Sequence, residues 1–302
     1  MFAQKWNKNV PALKSEYAEV NGIRLHYVSA GQGKPILFLH GFPEFWYCWK
    51  DQLVDFANDY TALALDMRGY NLSSKPADVE DYQIDFLVED LRAFIAQLGY
   101  KKLILVGHDW GGAVAWAFAS HYPEYLKKLI IINAPHPGIY ERELTTNPDQ
   151  QQVSQYLLVF RSPKAEKILS ENSYARLFIA MLGNGSRFEM TREDRKMYAR
   201  AWSQSGALTG GLNHYRASPY QPPALEGEGY PTEHRIINPE QFQVNVPTLV
   251  IWGEKDTILL PGNLEGLQEY VPDLTIERIP DGSHWIIHEQ PERINFLIRS
   301  FI

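Results

Sequence analysis

Leu103-Ile104-Leu105-Val106-Gly107-His108-Asp109-Trp110-Gly111-Gly112, followed by Ala113-Val114-Ala115-Trp116-Ala117-Phe118-Ala119-Ser120, decides how this chain folds. The first four residues are an uninterrupted apolar run, which suits a strand covered on both faces. Two glycines follow after a short polar step, and the small apolar run from Ala113 to Ser120 is compatible with a helix. A strand, a tight turn and a helix therefore meet at Asp109. The same rhythm extends outward. Residues 23–29, 36–39 and 61–65 read as strands and residues 82–98 as an amphipathic helix. Residues 126–132 read as a further strand, and the alternation then stops at Ala134-Pro135-His136-Pro137. It resumes with strands at 248–253 and 274–279 and ends in a helix over 289–302. Strands alternating with helices predict a mostly parallel sheet.

Between these two blocks the pattern is helical and irregular, at 151–160, 165–169 and 192–203, with a proline-rich stretch over 219–231. This predicts a helical cap over 138–243, inserted into a core domain made of 1–137 and 244–302. A chain of 302 residues, 45% hydrophobic, is long enough to build such a core around a dry site. The formal charge of −7 comes without a long basic run, which argues against nucleic acid or an anionic membrane surface as partner. Cys48 is the single cysteine, so no intramolecular disulfide can form. Residues 1–10 mix charged and polar side chains where an export signal needs an apolar run. The strongest apolar run, around residues 129–132, falls far short of the ~20 residues that cross a bilayer. The expectation is a soluble, cytoplasmic protein, monomeric or homodimeric.

Gly107-His108-Asp109-Trp110-Gly111 has the glycine spacing of a strained strand-to-helix turn that lifts its middle side chain above the sheet. An aspartate there can simply cap the following helix. It can also act as a nucleophile. A serine needs a base to remove its proton, whereas a carboxylate is ionised at neutral pH and a helix N-terminus favours the anion. Attack on an acyl group would give a reactive anhydride, while attack on a saturated carbon of an epoxide or alkyl halide gives an alkyl ester. Breaking that ester requires water, a general base and donors for an oxyanion. His284, in Asp281-Gly282-Ser283-His284-Trp285, and Asp256, just beyond the strand ending at Gly253, are placed to supply the base. Glu254 competes with Asp256, and His288 with His284. Asn133 ends a strand where an acid might stand, but an amide carries no charge. The backbone N–H groups of Phe42, in His40-Gly41-Phe42-Pro43, and of Trp110 are the candidate oxyanion donors.

Taken together, His40-Gly41-Phe42-Pro43-Glu44, Asp66-Met67-Arg68-Gly69-Tyr70, Gly107-His108-Asp109-Trp110-Gly111-Gly112, Asn133-Ala134-Pro135-His136-Pro137 and Ser283-His284-Trp285 resemble the epoxide hydrolases of the α/β-hydrolase superfamily. The resemblance runs from about Tyr17 to Ile302. It implies the α/β-hydrolase fold, an eight-stranded, mostly parallel sheet flanked by helices with an inserted cap, and chain order nucleophile, acid, histidine. It also implies two cap tyrosines aimed at the epoxide oxygen. Tyr156 and Tyr215 match the local patterns, with Tyr174, Tyr198 and Tyr220 as fallbacks. On this reading Asp109 opens a small hydrophobic epoxide, Tyr156 and Tyr215 hold its oxygen, and water activated by His284 and Asp256 releases a vicinal diol. No metal or organic cofactor is called for. His40, Trp46, Leu157, Phe178, Trp202 and Trp285, with Phe42, are the expected pocket lining.

Two readings stand beside this one. A haloalkane or haloacetate dehalogenase uses the same aspartate, with the Trp110 indole as a halide donor. Phe42, however, lacks the polar hydrogen such enzymes usually present there, and Trp110 and Ala113 do not match the haloacetate pattern. A catalytically silent binding protein can share this scaffold, although here every triad role is occupied. Secreted relatives that act on host channel trafficking usually show a histidine at the position of Tyr156.

Overall fold

A computed structural model describes residues 12–183, 186–223 and 242–302. The expected absence of an export signal in residues 1–10, the proline-rich stretch beyond 223 and the far end of the expected cap lie outside the described residues.

Eight strands form one sheet, in the order β1-β2-β4-β3-β5-β6-β7-β8. They are β1 (Lys14–Val20), β2 (Ile23–Ala30), β3 (Lys34–Leu39), β4 (Tyr60–Leu65), β5 (Leu103–His108), β6 (Leu126–Ile132), β7 (Thr248–Gly253) and β8 (Leu274–Ile279). The pairs β1–β2 and β2–β4 are antiparallel, and every other pair is parallel. Strand β1 was not anticipated. At a sheet edge its charged residues Lys14, Glu16 and Glu19 are the side chains that discourage pairing with another molecule. Asn21 and Gly22, both at positive φ, turn β1 tightly into β2.

The central strands are apolar throughout because both sheet faces are covered. Successive residues alternate between two cores. Ile36, Phe38, Val106, Ile130 and Ile251 face Trp49, Phe56 and Ile298. Leu37, Leu39, Leu105, Ile131 and Val250 face Leu91, Phe94, Trp116 and Phe118. The covering helices are α1 (Lys50–Phe56), α2 (Ile84–Gln97), α3 (Trp110–His121), α10 (Ile286–Glu289) and α11 (Pro291–Phe301).

Between β6 and β7 the described chain is helical: α4 (Pro137–Thr146), α5 (Pro148–Val153), α6 (Tyr156–Arg161), α7 (Ala165–Leu182), α8 (Arg192–Trp202) and α9 (Ala207–Ala217). The helix expected over 151–160 is two helices, divided at Ser154 and Gln155. Helix α8 begins in a capping box between Thr191 and Asp194. The same Asp194 accepts from Tyr47 (2.9 Å) and Lys50 (2.6 Å) of the sheet domain. The Trp202 indole donates to the Pro43 carbonyl at 2.6 Å. His214 Nε2 donates to the Arg68 carbonyl at 2.9 Å, and the Arg68 guanidinium is held in turn by both oxygens of Asp90.

Two of the histidines at these seams are buried as neutral rings, which ties stability to pH. Burial lowers His136 and His214 to about 4, against an ordinary value of 6.5. The unfolded chain therefore binds protons at these sites that the folded chain refuses. Stability should fall as pH drops from 6.5 to 5, by roughly 2 kcal/mol for each ring. Glu44, Asp194 and Asp256, whose carboxyls sit below their ordinary values, lose their contribution only in more acid solution. Urea unfolding midpoints across this window measure the effect, and a flat profile would contradict it.

Candidate active site

Asp109 stands between the end of β5 and the first residue of α3, with φ 50° and ψ −121°. A non-glycine residue holds this conformation only when its surroundings force it, and two glycines show how. A Cβ on Gly111 would run into the Leu39 carbonyl, and one on Gly41 into the Asp109 carboxylate itself. The turn is thus clamped between neighbouring backbones, and the Asp109 side chain, 14% exposed, is lifted clear of the sheet. The Phe42 N–H donates to Asp109 Oδ1 at 2.8 Å. Trp110 opens α3, so its N–H has no acceptor within the helix.

His284 follows β8 and faces both carboxylates. Its Nδ1 donates to Asp256 Oδ2 at 2.8 Å, while Nε2 lies 3.7 Å from Asp109 Oδ2, too far for a hydrogen bond. Asp256 is fixed from every side. Oδ1 accepts from the N–H groups of Ile258 (2.8 Å) and Leu259 (2.9 Å), and Oδ2 also accepts from Asn133 Nδ2 at 2.7 Å. The other end of the Asn133 amide accepts from the Gly253 N–H at 2.9 Å. Burial opposes the Asp256 carboxylate, yet His284 and these donors hold its carboxyl below the ordinary value. Burial likewise pulls the His284 imidazolium down, but the charges of Asp256, Asp109 and Glu44 outweigh it and raise His284 to about 9.

Two phenols face this group from separate helices. Tyr156 opens α6 and Tyr215 lies in α9, with ring centroids 6.4 Å apart and the Phe160 ring against both. Tyr215 meets Trp110 edge-on at 5.1 Å and Phe42 at 5.3 Å. The Trp110 indole is also the hydrogen-bonding neighbour of the Tyr215 hydroxyl. Burial first, and then the Asp109 charge among others, push both phenols well above their usual range, so both carry their protons. Arg161 at the end of α6 donates to the carbonyls of Tyr215 (2.9 Å) and Ser218 (2.8 Å), locking the two helices together.

Among the remaining expected residues, Leu157 is buried beside Tyr156, and Phe178 packs on Trp202 at 4.9 Å. Trp285 lies edge-on to His284 and donates to the Ala180 carbonyl of α7. Of the fallback tyrosines, Tyr198 gives its hydroxyl to Glu44 and Tyr174 packs on Trp202. Tyr220 packs on Tyr140. Glu254 pairs with Arg278 and His288 with Glu44, so neither competitor stands in the triad.

Two expectations are corrected. His40 is fully buried, donates from Nδ1 to the Gly41 carbonyl (2.8 Å) and accepts the Met67 N–H at Nε2 (3.1 Å). Both ring nitrogens serve the backbone, so it braces the Phe42 loop and has none left for a substrate. Trp46 is half-buried and packs edge-on against Phe45 and Tyr47 at the margin of the core, while its backbone N–H donates to Asp66, so its described contacts are with the sheet domain and not with the site residues. Two other residues have roles that the sequence alone did not assign. Asn133 has the supporting role just described. Buried Glu44 accepts from Tyr198, pairs with His288 and lies 3.4 Å from His108 Nδ1, while His108 Nε2 donates to the His284 carbonyl at 2.8 Å. Its place at the end of His40-Gly41-Phe42-Pro43-Glu44 and a lone acid within an aromatic run were its only signals.

A sheet of this order with a nucleophile-type turn after β5 and a histidine after β8 defines an α/β hydrolase, and the family model for the alpha/beta hydrolase fold matches residues 34–291. Epoxide hydrolase 4 of Mus musculus is 40% identical over 294 residues, covering 93% of this chain and 77% of the relative. The AB hydrolase superfamily protein YfhM of Bacillus subtilis is 40% identical, covering 96% of this chain and 98% of the relative. Among solved structures, the Bacillus megaterium epoxide hydrolase in complex with an inhibitor is 38% identical with a TM-score of 0.84, covering 95% of this chain and 99% of that one. A variant of that enzyme has been solved with its product, (R)-3-[1]naphthyloxy-propane-1,2-diol. This chain belongs to the epoxide hydrolase family of the α/β-hydrolase superfamily.

Proposed function

We infer that this chain hydrolyses epoxides to vicinal diols through an ester on Asp109. The observation that carries the reading is a carboxylate at the strained turn, faced by two phenols, half-buried Tyr156 and buried Tyr215, that keep their protons. An Asp109 oxygen attacks one ring carbon, the carbon–oxygen bond opens, and the alkoxide takes a proton from the Tyr156–Tyr215 pair. Water then attacks the Asp109 carboxyl carbon while His284 Nε2 removes its proton. The N–H groups of Phe42 and Trp110 stabilise the oxyanion. The ester bond breaks, its departing oxygen takes the second proton of the water, the diol leaves, and the proton on His284 restores the starting state beside the ionised Asp109. The net change is epoxide plus water to diol.

The charges around His284 time this sequence. With Asp109 ionised, its charge helps hold His284 at about 9 and therefore protonated. Once Asp109 becomes a neutral ester that contribution is gone, which eases transfer of the His284 proton to the phenolate left by ring opening and frees the imidazole as a base at the step that needs one. Asn133 and the two backbone N–H groups keep Asp256 oriented throughout.

Halide displacement is the competing use of the same aspartate. The Trp110 indole already serves the Tyr215 hydroxyl, and Phe42 offers no polar side-chain hydrogen, which supports the epoxide reading. The described helices between β6 and β7, α4 to α9, act as the cap over the core. Among the described residues no helix is long and apolar enough to cross a membrane.

The test is diol formation measured beside halide release on matched epoxides and haloalkanes. Tyr156→Phe and Tyr215→Phe should each lower epoxide turnover roughly 10²-fold and the double variant more. Halide displacement, which produces no alkoxide, should not share the loss. Halide release without diol would overturn the reading.

A further inference from the structure

Ester hydrolysis depends on one imidazole carried by a short loop, residues 280–285, between β8 and α10. Main-chain contacts fix the first half of that loop. The Gly282 N–H donates to the Ile279 carbonyl at 3.1 Å, and the Gly282 carbonyl accepts the Lys255 N–H at 2.9 Å, next to Asp256. A Cβ on Gly253 would strike the carbonyls of Gly282 and Ser283, so the loop lies hard against the end of β7. The second half is held by a side chain that the reaction above does not use. Glu289, the last residue of α10, turns back six positions: its Oε2 accepts the Ser283 N–H at 2.9 Å and its Oε1 accepts the Ser283 hydroxyl at 2.7 Å. Ser283 Oγ, having given its proton to Glu289, accepts the Trp285 N–H at 3.1 Å. The residues on both sides of His284 are therefore tied to one carboxylate.

The same Oε1 also accepts the Arg187 N–H, ahead of α8, at 2.7 Å, which joins the His284 loop to the cap. Three donors thus converge on two oxygens, an arrangement that a carboxylate satisfies and an amide cannot. Glu289 acts on the place of the imidazole through the backbone, and place matters at one step. Opening the epoxide uses the Asp109 carboxylate and the two phenols, which stand on other elements. Hydrolysis needs His284 Nε2, 3.7 Å from Asp109 Oδ2, to meet a water aimed at the ester carbon. A displacement of about 1 Å can cost such a step roughly 10²-fold.

We propose that Glu289 is a positioning residue for the second half of the reaction: it seats the His284 loop so that Nε2 meets the water that cleaves the Asp109 ester, and it has no share in ring opening. The assignment rests on the epoxide hydrolase reading. Glutamine is the informative replacement, because Glu289→Gln keeps the shape of the side chain. Its amide N–H groups must face either the Ser283 N–H or the Ser283 hydroxyl together with the Arg187 N–H.

The test follows the whole protein with styrene oxide by rapid quenching and intact mass, which separates ester formation from ester decay. In Glu289→Gln, decay should slow about tenfold or more. Ester formation should stay within about twofold, so that the alkylated fraction at steady state rises and kcat and KM fall together. Ser283→Ala, which keeps its own N–H bond to Glu289 and loses the hydroxyl, should slow the same step by less. If Glu289→Gln does not fold, Ser283→Ala decides by the same criterion. Proportional loss of both steps would make Glu289 a packing residue, and unchanged decay in both variants would show that His284 is held without it; either result overturns the proposal. If the unaltered protein formed neither ester nor diol, the reading beneath would fail and take the proposal with it.

Discussion

Asp109→Ala is expected to give a folded protein that forms neither diol nor covalent ester, with turnover reduced by roughly 10⁴-fold or more. The size follows from the geometry. No other carboxylate occupies the turn after β5, and Asp256 is fully committed to His284, Asn133 and two backbone N–H groups. A second readout separates loss of the nucleophile from loss of the fold. Asp109 is one of the charges that hold His284 at about 9, so its removal should lower the His284 value, visible as an earlier titration of its ring resonances. The remaining structure should tolerate the change, because the Asp109 side chain makes a single described contact to the backbone of another loop, at Phe42. Retained turnover in this variant would remove the nucleophile from the mechanism.

His284→Gln should behave differently, stopping the cycle halfway. Alkylation of Asp109 needs the carboxylate and the phenols, none of which this substitution removes. Ester hydrolysis needs the imidazole to take a proton from water, and glutamine cannot do so. One equivalent of a reactive epoxide should therefore be consumed, and intact-protein mass should rise by the full mass of that epoxide, since ring opening expels no leaving group. Steady turnover should fall by roughly 10³-fold or more. A haloalkane would add only its alkyl group and release halide, so the same measurement distinguishes the two electrophiles. An unmodified protein after prolonged exposure to epoxide would mean that no ester forms.

Much of this arrangement is legible in the residues alone, and the boundary of legibility has physical causes. Strands β3 to β7 announce themselves because a strand covered on both faces must be apolar along its whole length. The turn at Asp109 announces itself because only glycine tolerates the close approaches around it. His284 and Asp256 could be chosen because each sits just past a readable strand. Contacts between distant parts of the chain leave no such local trace. Asn133 reaches Asp256 across 123 residues, and an amide at the end of a strand looks like a position that lost its acid rather than one that holds another. His40 misleads for a related reason: a histidine before the Phe42 loop looks like a ligand until both nitrogens are found on the backbone. Strand β1 stays hidden because an edge strand is selected for charge.

Arg161 gives the cap a property of its own. By grasping the main chain of α9 from the end of α6, it fixes the spacing of Tyr156 and Tyr215 within the helical segment itself, while Trp110 and Phe42 of the sheet domain meet Tyr215 from below. A lid grafted onto a related base, or shifted a little by a bulky guest, would carry its pair of hydroxyls along as a preassembled pincer. Selectivity can then be altered by exchanging this module while its grip on oxygen is kept intact.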